Sequence, residues 1–277
     1  MYQKNKDKYI IDLFCGCGGF AEGFERSGYQ SYLSADFDYW ACETFKSRFK
    51  KSKVINEDIT SDKFKAILKK QTKGVKIDGV VAGLPCQSFS SVGRAQDKFS
   101  MAKDKRNYFY KDFFECLKII KPNFFVFENV RGILSAKPNG VKIFDNILEL
   151  SKKLGYVTLD DTSKMVFDTS EYGVPQTRKR VFVIGVKKKY SKLIPKIYDD
   201  LINVQKDKNR YTVKDAISDL PPLKPGEGVE KIKVLKKNKN DYLKKITNSK
   251  FIYNHVARNH NEKDRQRYKY LSKNNWA

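Results

Sequence analysis

The chain has 277 residues, which is enough for one large domain with room for an appendage. Apolar residues make up 40% of the sequence, but no apolar run approaches the length of a membrane span and no secretory leader is recognisable. Lysine and arginine number 56 against 32 acids, a formal charge of +24. We therefore expect a cytoplasmic protein without a membrane anchor, whose partner is a polyanion such as nucleic acid, unless the charge reflects only a lysine-rich composition.

The chain begins with a repeated alternation of short apolar runs and helix-like stretches. The runs predict strands at residues 9–14, 31–36, 54–58, 77–82 and 124–128, and the stretches predict helices at 20–26, 39–49, 61–70, 107–120 and 141–154. Further strands are expected at 156–159 and 181–186. This order predicts an α/β fold with a doubly wound, mostly parallel sheet, whose ligands bind at the carboxyl ends of the strands.

After residue 187 the alternation stops, and residues 187–250 are rich in lysine, asparagine and proline-containing turns. We expect a linker and irregular loops there more than a second packed core. The five cysteines are an odd number, which favours reduced thiols over disulfides. Cys15 and Cys17 have no second ligand pair at zinc spacing, so no metal site is predicted.

A glycine-rich turn follows the first predicted strand and contains Gly16, Gly18 and Gly19. Its G-x-G-x-x-A spacing suits NAD, FAD or S-adenosylmethionine, or a turn that only packs a strand against a helix. Asp36, at the end of the second predicted strand, can accept hydrogen bonds from ribose hydroxyls, and Asp58 is expected to end the third. These acids favour a nucleoside-bearing cofactor.

Three further motifs lie near predicted strand ends. Cys86 follows Pro85 in a loop after the fourth strand, where it is either a nucleophile or an inert buried thiol. Glu128 ends an apolar strand and is expected beside Cys86, although it could instead only satisfy backbone donors at a helix start. Arg178 and Arg180 are expected on one side of the last strand, facing a cleft or solvent.

Taken together and in this order, the motifs resemble those of the cytosine-5 DNA methyltransferase family of bacterial restriction-modification systems. The family marks are a D-L-F-x-G-x-G-G turn, a P-C-Q loop, an E-N-V strand end and a Q-x-R-x-R strand, and the resemblance covers residues 9–185. The departures are Cys15 and Cys17 in the turn, Leu84 where proline is usual, and Phe109 where leucine is common.

The resemblance implies methyl transfer from S-adenosylmethionine to carbon 5 of a flipped-out cytosine in duplex DNA, through a covalent bond between Cys86 and carbon 6. A thiolate suits this soft conjugate acceptor. Glu128 would bind N3 and the exocyclic amine, and Arg180 would hold O2. Arg178 would support the catalytic loop or a phosphate, and no metal would be needed.

The resemblance also implies a cofactor site. The glycine turn would line the methionine end, Asp36 would bind the ribose, Phe37 would stack on the adenine, and the third strand's end would read the adenine edge. The full set is Phe14, Gly16, Gly18, Gly19, Asp36, Phe37, Asp58, Ile59 and Pro85.

The resemblance assigns residues 1–190 to a catalytic, cofactor-binding domain and residues 191–277 to a linker and the incomplete start of a target-recognition region. The last two family blocks are not found, so we expect a fragment or one subunit of a split enzyme, weakly active or inactive alone, that associates with the nucleoid. An RNA cytosine-5 methyltransferase, a non-catalytic nucleic-acid-binding homologue and a nicotinamide dehydrogenase are the alternatives.

Overall fold

The computed structural model of the chain describes residues 7–85, 105–204, 210–234, 240–247 and 249–273. The chain divides into two compact units, residues 1–168 with 178–204 and residues 169–177 with 205–277. No helix within the described ranges is both long and apolar enough to cross a membrane.

The first unit contains an eight-stranded sheet and six α-helices among its described residues. The strands are β1 Tyr9–Leu13, β2 Gln30–Asp36, β3 Lys53–Asn56, β4 Gly79–Gly83, β5 Phe124–Val130, β6 Tyr156–Thr158, β7 Val166–Asp168 and β8 Lys179–Lys187. The helices are α1 Gly19–Arg26, α2 Tyr39–Arg48, α3 Asp62–Thr72, α4 Phe109–Ile120, α5 Ile143–Lys153 and α6 Leu193–Asn203.

The sheet order is β3-β2-β1-β4-β5-β8-β6, and β7 also pairs with β8. The first five strands in this order are parallel, whereas β8 is antiparallel to β5, β6 and β7. The predicted α/β fold with a mostly parallel sheet is confirmed. The carboxyl ends of β1 to β5 therefore meet at one edge, where ligands bind in this architecture.

Burial explains why the apolar runs became strands. The side chains of Val80, Val81 and Ala82 in β4 are completely buried, as expected for a central strand that is covered on both faces.

Two of the helices, α2 and α3, begin at polar N-caps. The Asp38 carboxylate accepts from Ala41 N at 2.8 Å, and the Ser61 hydroxyl accepts from Phe64 N at 3.0 Å.

Two glycines on neighbouring strands accommodate phenylalanine rings of β5. Gly79 of β4 is the register partner of Phe124, and a Cβ at Gly79 would lie 2.2 Å from that ring. Gly185 of β8 is the partner of Phe125, and a Cβ there would also lie 2.2 Å from the ring. Phe124 and Phe125 are consecutive residues of one strand, so their rings lie on opposite faces of the sheet.

The first unit extends to residue 204, beyond the predicted domain boundary at 190, because α6 packs against the sheet. Tyr198 of α6 is completely buried. Its hydroxyl donates to Phe182 O at 2.9 Å and accepts from Ile184 N at 3.0 Å. These two groups lie on β8 between the segments paired with β7 and β6, so Tyr198 replaces a missing strand partner there.

The second unit contains five α-helices and strands among its described residues, three of them within residues 187–250, where a linker and irregular loops were predicted. These are the helices α7 Val213–Ile217, α8 Asp241–Ile246 and α9 Glu262–Lys273 and the antiparallel strands β9 Gly228–Lys233 and β10 Phe251–Val256. Asn240 joins two helices, since its Nδ2 donates to Asp215 O at 2.8 Å. Leu243 is the one buried hydrophobic side chain within the described part of this unit. Residues 205–250 of the predicted linker therefore belong to a compact unit with a small core, and the role of this unit in target recognition stays a prediction.

Candidate active site

The turn between β1 and α1 has the unusual backbone that its glycines permit. Gly16 and Gly18 have φ values of +50° and +91°, and Phe14 has +55°. A Cβ at Gly16 or Gly19 would meet no atom within 4 Å, so both positions face open space. Backbone at these two residues is therefore accessible to a ligand.

Gly18 has a different role from its neighbours in the turn. A Cβ at Gly18 would lie 2.3 Å from the Phe49 ring and 3.0 Å from the Phe45 ring. Both rings belong to a buried cluster beneath the turn. The Cβ position of Gly18 thus faces the core, and the glycine is required for close packing as well as for its positive φ.

The end of β2 holds the glycine turn in place. The Asp36 carboxylate is 8% exposed and accepts from Gly16 N at 2.9 Å and from Asp38 N at 3.0 Å. Asn56, at the end of β3, donates from Nδ2 to Asp36 O at 3.1 Å and to Phe37 O at 2.8 Å. The Phe37 side chain is 73% exposed. A fixed backbone therefore presents an exposed aromatic ring beside a carboxylate.

The third predicted contributor lies in a turn after β3 and not at the strand end. Strand β3 ends at Asn56, because Asp58 forms a local turn in which its Oδ1 accepts from the Thr60 backbone and hydroxyl, each at 2.9 Å. The expectation that Asp58 ends a strand was wrong. Asp58 is exposed, Ile59 is buried, and Glu57 N donates to Asp36 O at 3.1 Å, which keeps the turn beside β2.

Two of the catalytic residues predicted from sequence, Glu128 and Arg180, lie on the neighbouring strands β5 and β8. Gly83 of β4 is the register partner of Glu128 of β5, and Leu84 and Pro85 follow directly. Cys86 lies outside the described residues, as do residues 87–104, which continue the predicted loop. The register places Glu128 beside the strand that leads into Cys86.

Glu128 forms an ion pair with Arg180 of β8. Arg180 Nε lies 2.8 Å from Glu128 Oε1, and the two side chains are 18% and 22% exposed. Burial raises the pKa of Glu128, while the charges of Arg180 and Arg178 oppose the increase. Arg178, directly before β8, is exposed, and its backbone N donates to Asp168 Oδ1 at 3.2 Å. The sequence also allowed a Glu128 that only satisfies backbone donors at a helix start. The ion pair with Arg180 shows a different arrangement.

Two residues of the site were missed by sequence reasoning. Asn129 is 1% exposed, and its Nδ2 donates to Leu84 O at 3.4 Å, which ties β5 to the segment before Cys86. Asp12 of β1 is fully buried, and its Oδ2 accepts from Ala21 N at 3.2 Å, at the start of α1. Its Oδ1 has no hydrogen-bond partner among the described residues. A carboxylate within the apolar run of β1 was the available sequence signal.

The features that a nucleoside-bearing cofactor requires lie together at the ends of β1, β2 and β3. They comprise an accessible glycine backbone, a held carboxylate and an exposed aromatic ring. Phe14 completes one side, with its ring stacked on Phe109 at a centroid distance of 5.7 Å. The residues present fit such a group. Within the described ranges, no cluster of three histidine, cysteine or acidic side chains is placed to hold a metal ion.

Comparison with known proteins gives a family match over nearly the whole chain. The model of the C-5 cytosine-specific DNA methylases matches residues 9–277. The type II methyltransferase M.DdeI of Desulfomicrobium norvegicum is 37% identical over 266 residues, which are 92% of this chain and 58% of the relative. The type II methyltransferase M.AquIA of Picosynechococcus is 30% identical over 79% of this chain and 91% of its own length.

A similar solved structure is that of a prophage-encoded protein of E. coli described as a DNA modification methyltransferase. Its TM-score is 0.64 at 29% identity, and the match covers 86% of this chain and 64% of that one. The chain thus spans somewhat less than two thirds of M.DdeI and of this structure.

Proposed function

Because the chain belongs to the family of C-5 cytosine-specific DNA methylases, we propose that it transfers a methyl group to carbon 5 of cytosine in duplex DNA. The observation that carries the proposal is the pairing of Gly83 with Glu128. It sets a partly buried carboxyl group, paired with Arg180, beside the strand that leads into Cys86.

Cys86 is the proposed nucleophile. Its thiolate adds to carbon 6 of the cytosine, and the electron pair of the 5,6 double bond moves toward carbon 5, which becomes nucleophilic. After carbon 5 has gained the methyl group and lost its proton, the bond between sulfur and carbon 6 breaks. The thiolate is then regenerated and the double bond restored.

Glu128 and Arg180 are proposed to stabilise the ring during this addition. The raised pKa of Glu128 favours a carboxyl group that can hold a proton toward N3 and accept from the exocyclic amine. Arg180 would donate to O2, and Arg178, whose charge also acts on Glu128, would support the loop or a phosphate. Asn129 would keep this carboxylate aligned with the cysteine loop through Leu84.

S-adenosylmethionine, when bound, supplies the electrophilic methyl group. Asp36 would accept from the ribose hydroxyls, and the exposed ring of Phe37 would stack on the adenine. Asp58 and Ile59 would contact the adenine edge. Toward the methionine end, the contributors would be Phe14, Gly16, Gly18, Gly19 and Pro85.

Duplex DNA is the proposed substrate, and the net charge of +24 suits its phosphates. A cytosine inside a base-paired stack cannot be reached by a thiol, so the base must leave the duplex.

Covalent trapping tests the proposal. A duplex containing 5-fluorocytosine should form a denaturant-stable adduct with the chain in the presence of S-adenosylmethionine, because fluorine cannot leave as a proton does. Cys86→Ser should abolish the adduct, and Glu128→Gln should slow its formation by about 10²–10³-fold, the usual cost of losing one stabilising group.

Glu149→Gln is the matched control, since Glu149 is an exposed acid of α5 that pairs with Lys153. Its adduct should form at the wild-type rate. An adduct that persists in Cys86→Ser would contradict the proposal, as would its absence in the wild type when a second polypeptide supplies the two family blocks not found in this chain. The same reaction with transfer RNA separates DNA from RNA as the substrate.

A further inference from the structure

The amino-terminal edge of the sheet, opposite the candidate active site, has a lysine at each of five neighbouring strands. These strands follow one another in the order β1, β4, β5, β8 and β6. Strand β8 runs antiparallel to β5, so its last residue lies at the edge where β5 begins. We define the lysine row as Lys8, Lys76, Lys121, Lys187 and Lys153, together with the adjacent Lys188 and Lys152.

Backbone hydrogen bonds show that the row is continuous. Lys187 N donates to Asn123 O at 2.9 Å, and Lys188 N donates to Gly155 O at 3.0 Å. Asn123 N donates to Asp78 O at 2.8 Å, and Asp78 N to Tyr9 O at 2.9 Å. With neighbouring strands about 4.8 Å apart, five strands give a row about 19 Å long.

Lysines outnumber acids at this edge, where Asp7 precedes Lys8, Asp78 lies beside Lys76 and Glu149 beside Lys153. The Asp78 carboxylate accepts from Tyr9 N at 3.2 Å and from Asn123 Nδ2 at 3.3 Å, so it holds strand ends together while also pairing with Lys76 at 3.3 Å. Lys153 pairs with Glu149 at 2.7 Å. The other lysines keep an excess of positive charge: exposed Lys8, Lys152 and Lys188 form no ion pair within the part of the chain that the structure describes.

Helix dipoles explain only part of the row. Lysines favour the last turn of a helix, where the carbonyl groups carry partial negative charge, and Lys152 and Lys153 lie in the last turn of α5. Lys8, Lys76 and Lys187 lie outside the α-helices. Their alignment with the strand ends therefore needs another explanation, and a linear polyanion is complementary to it.

We propose that the lysine row binds the phosphate backbone of a DNA duplex separate from the duplex at the candidate active site. Strands of five to seven residues place the row about 17–24 Å from the carboxyl edge. A duplex has a persistence length of about 150 base pairs, so one short duplex cannot bend around the sheet to contact both edges. The row would hold non-target DNA, independently of sequence and of methyl transfer.

Lysine acetylation read by mass spectrometry tests the surface directly. The full chain is acetylated with and without a short duplex of A·T pairs only, which offers no cytosine. Lys8, Lys152 and Lys188 should be protected by the duplex. The control lysines Lys46, Lys164 and Lys196 are 46%, 42% and 71% exposed and should react equally in both samples. Equal reactivity of the row lysines with and without duplex would overturn the proposal.

Two triple variants with the same change in net charge give a second readout. Lys8→Gln/Lys152→Gln/Lys188→Gln should reduce the slope of log affinity against log salt for the A·T duplex by up to about 2.7, at about 0.9 for each phosphate that a lysine no longer neutralises. Lys46→Gln/Lys164→Gln/Lys196→Gln should leave the slope near that of the wild type. Thermal melting checks that both triple variants fold.

A bridging assay separates one duplex site from two. The chain bound to an immobilised duplex should capture a second, labelled duplex, and the row variant should lose this capture. Equal slopes for the two triple variants, or capture that survives in the row variant, would reject the proposal. Protection of the row by acidic lipid vesicles but not by duplex would identify a membrane surface as the partner instead.

Discussion

The Asp12 carboxylate on β1 takes the place of the N-cap side chain that helix α1 lacks. The residue that caps α1 is Gly18, which has no side chain to offer, and the Asp12 carboxylate accepts from Ala21 N in its place. Burial raises the pKa of Asp12 to about 8, and the nearby charge of Asp36 adds to the increase, whereas the bond from Ala21 opposes it. A buried carboxyl therefore holds the first turn of the helix that follows the proposed cofactor turn.

The titration of Asp12 predicts a pH dependence of stability. Its folded pKa of about 8 exceeds the ordinary value of 3.8, so between these pH values the folded state retains a proton that the unfolded state releases. The free energy of unfolding should therefore decrease as the pH rises through this range, by at most about 1.4 kcal/mol per pH unit from this group. Asp12→Asn should remove that slope in urea denaturation at pH 5, 6, 7 and 8.

Asp145→Asn provides the comparison for this measurement. Asp145 is an exposed acid of α5 that pairs with Lys142, and its replacement should leave the wild-type slope unchanged. Parallel pH profiles for the wild type and Asp12→Asn would show that Asp12 does not titrate in this way.

At the scale of elements, the buried hydroxyl group of Tyr198 joins α6 to β8 of the sheet by two hydrogen bonds. Tyr198→Phe removes the partner of both Phe182 O and Ile184 N without creating a large cavity. We expect the free energy of unfolding to fall by about 1–3 kcal/mol, the usual cost of leaving buried backbone groups unsatisfied. Urea denaturation measures the difference.

Tyr190→Phe is the matched change. The Tyr190 hydroxyl has no hydrogen-bond partner within the described ranges, so its loss should alter the unfolding free energy by less than about 0.5 kcal/mol. If the two variants proved equally stable, the hydroxyl of Tyr198 would not be what secures α6.

The sequence pattern predicted which segments form strands better than it predicted where each strand ends. Apolar runs locate β1, β2, β4 and β5 because these strands are covered on both faces, but the end of β3 depends on the turn that Asp58 forms with Thr60. Helix α6 was missed because it follows an antiparallel strand, where the alternation of strands and helices no longer applies. Its role depends on the contact of Tyr198 with backbone 14 and 16 residues earlier.

In the candidate site, the sequence motifs located individual residues but not the interactions between them. Sequence motifs located Asp36, Glu128 and Arg180 because each lies at or near a strand end, and ends of neighbouring strands meet. The ion pair between Glu128 and Arg180 was not predicted, since it requires β8 to be antiparallel to β5. The interaction between Asp12 and α1 depends on tertiary packing, which spacing alone does not encode.

At the scale of the whole molecule, the two units differ in the size of their cores. The first has buried side chains from all of its strands except β3, whereas Leu243, at 2% exposed, is the one buried hydrophobic residue described in the second. Local stability follows the amount of buried apolar surface, so the second unit should open more readily.

Leu243→Ala should therefore unfold the second unit selectively. Hydrogen exchange should increase in residues 240–247 and in β9 and β10, while β1, β4 and β5 keep their protection, because replacing a buried leucine costs about 2–5 kcal/mol. Ile246→Ala, at a position 53% exposed on the same helix, is the control and should leave exchange unchanged. Simultaneous loss of protection in β1, β4 and β5 would mean that the units do not open independently.

Gly79 and Gly185, which accommodate the rings of β5, also fix the register of β5 against its two neighbouring strands. A slip of β5 by one residue would bring the Phe124 and Phe125 rings opposite residues that have side chains, so steric overlap forbids the shift from either face. Phe124, Phe125 and Glu128 lie on the same strand, so the register that the two rings fix also sets the position of Glu128. We therefore expect Gly79 and Phe124 to change together among related sequences, and likewise Gly185 and Phe125. A change in one member alone would shift Glu128 relative to Gly83, its partner on β4.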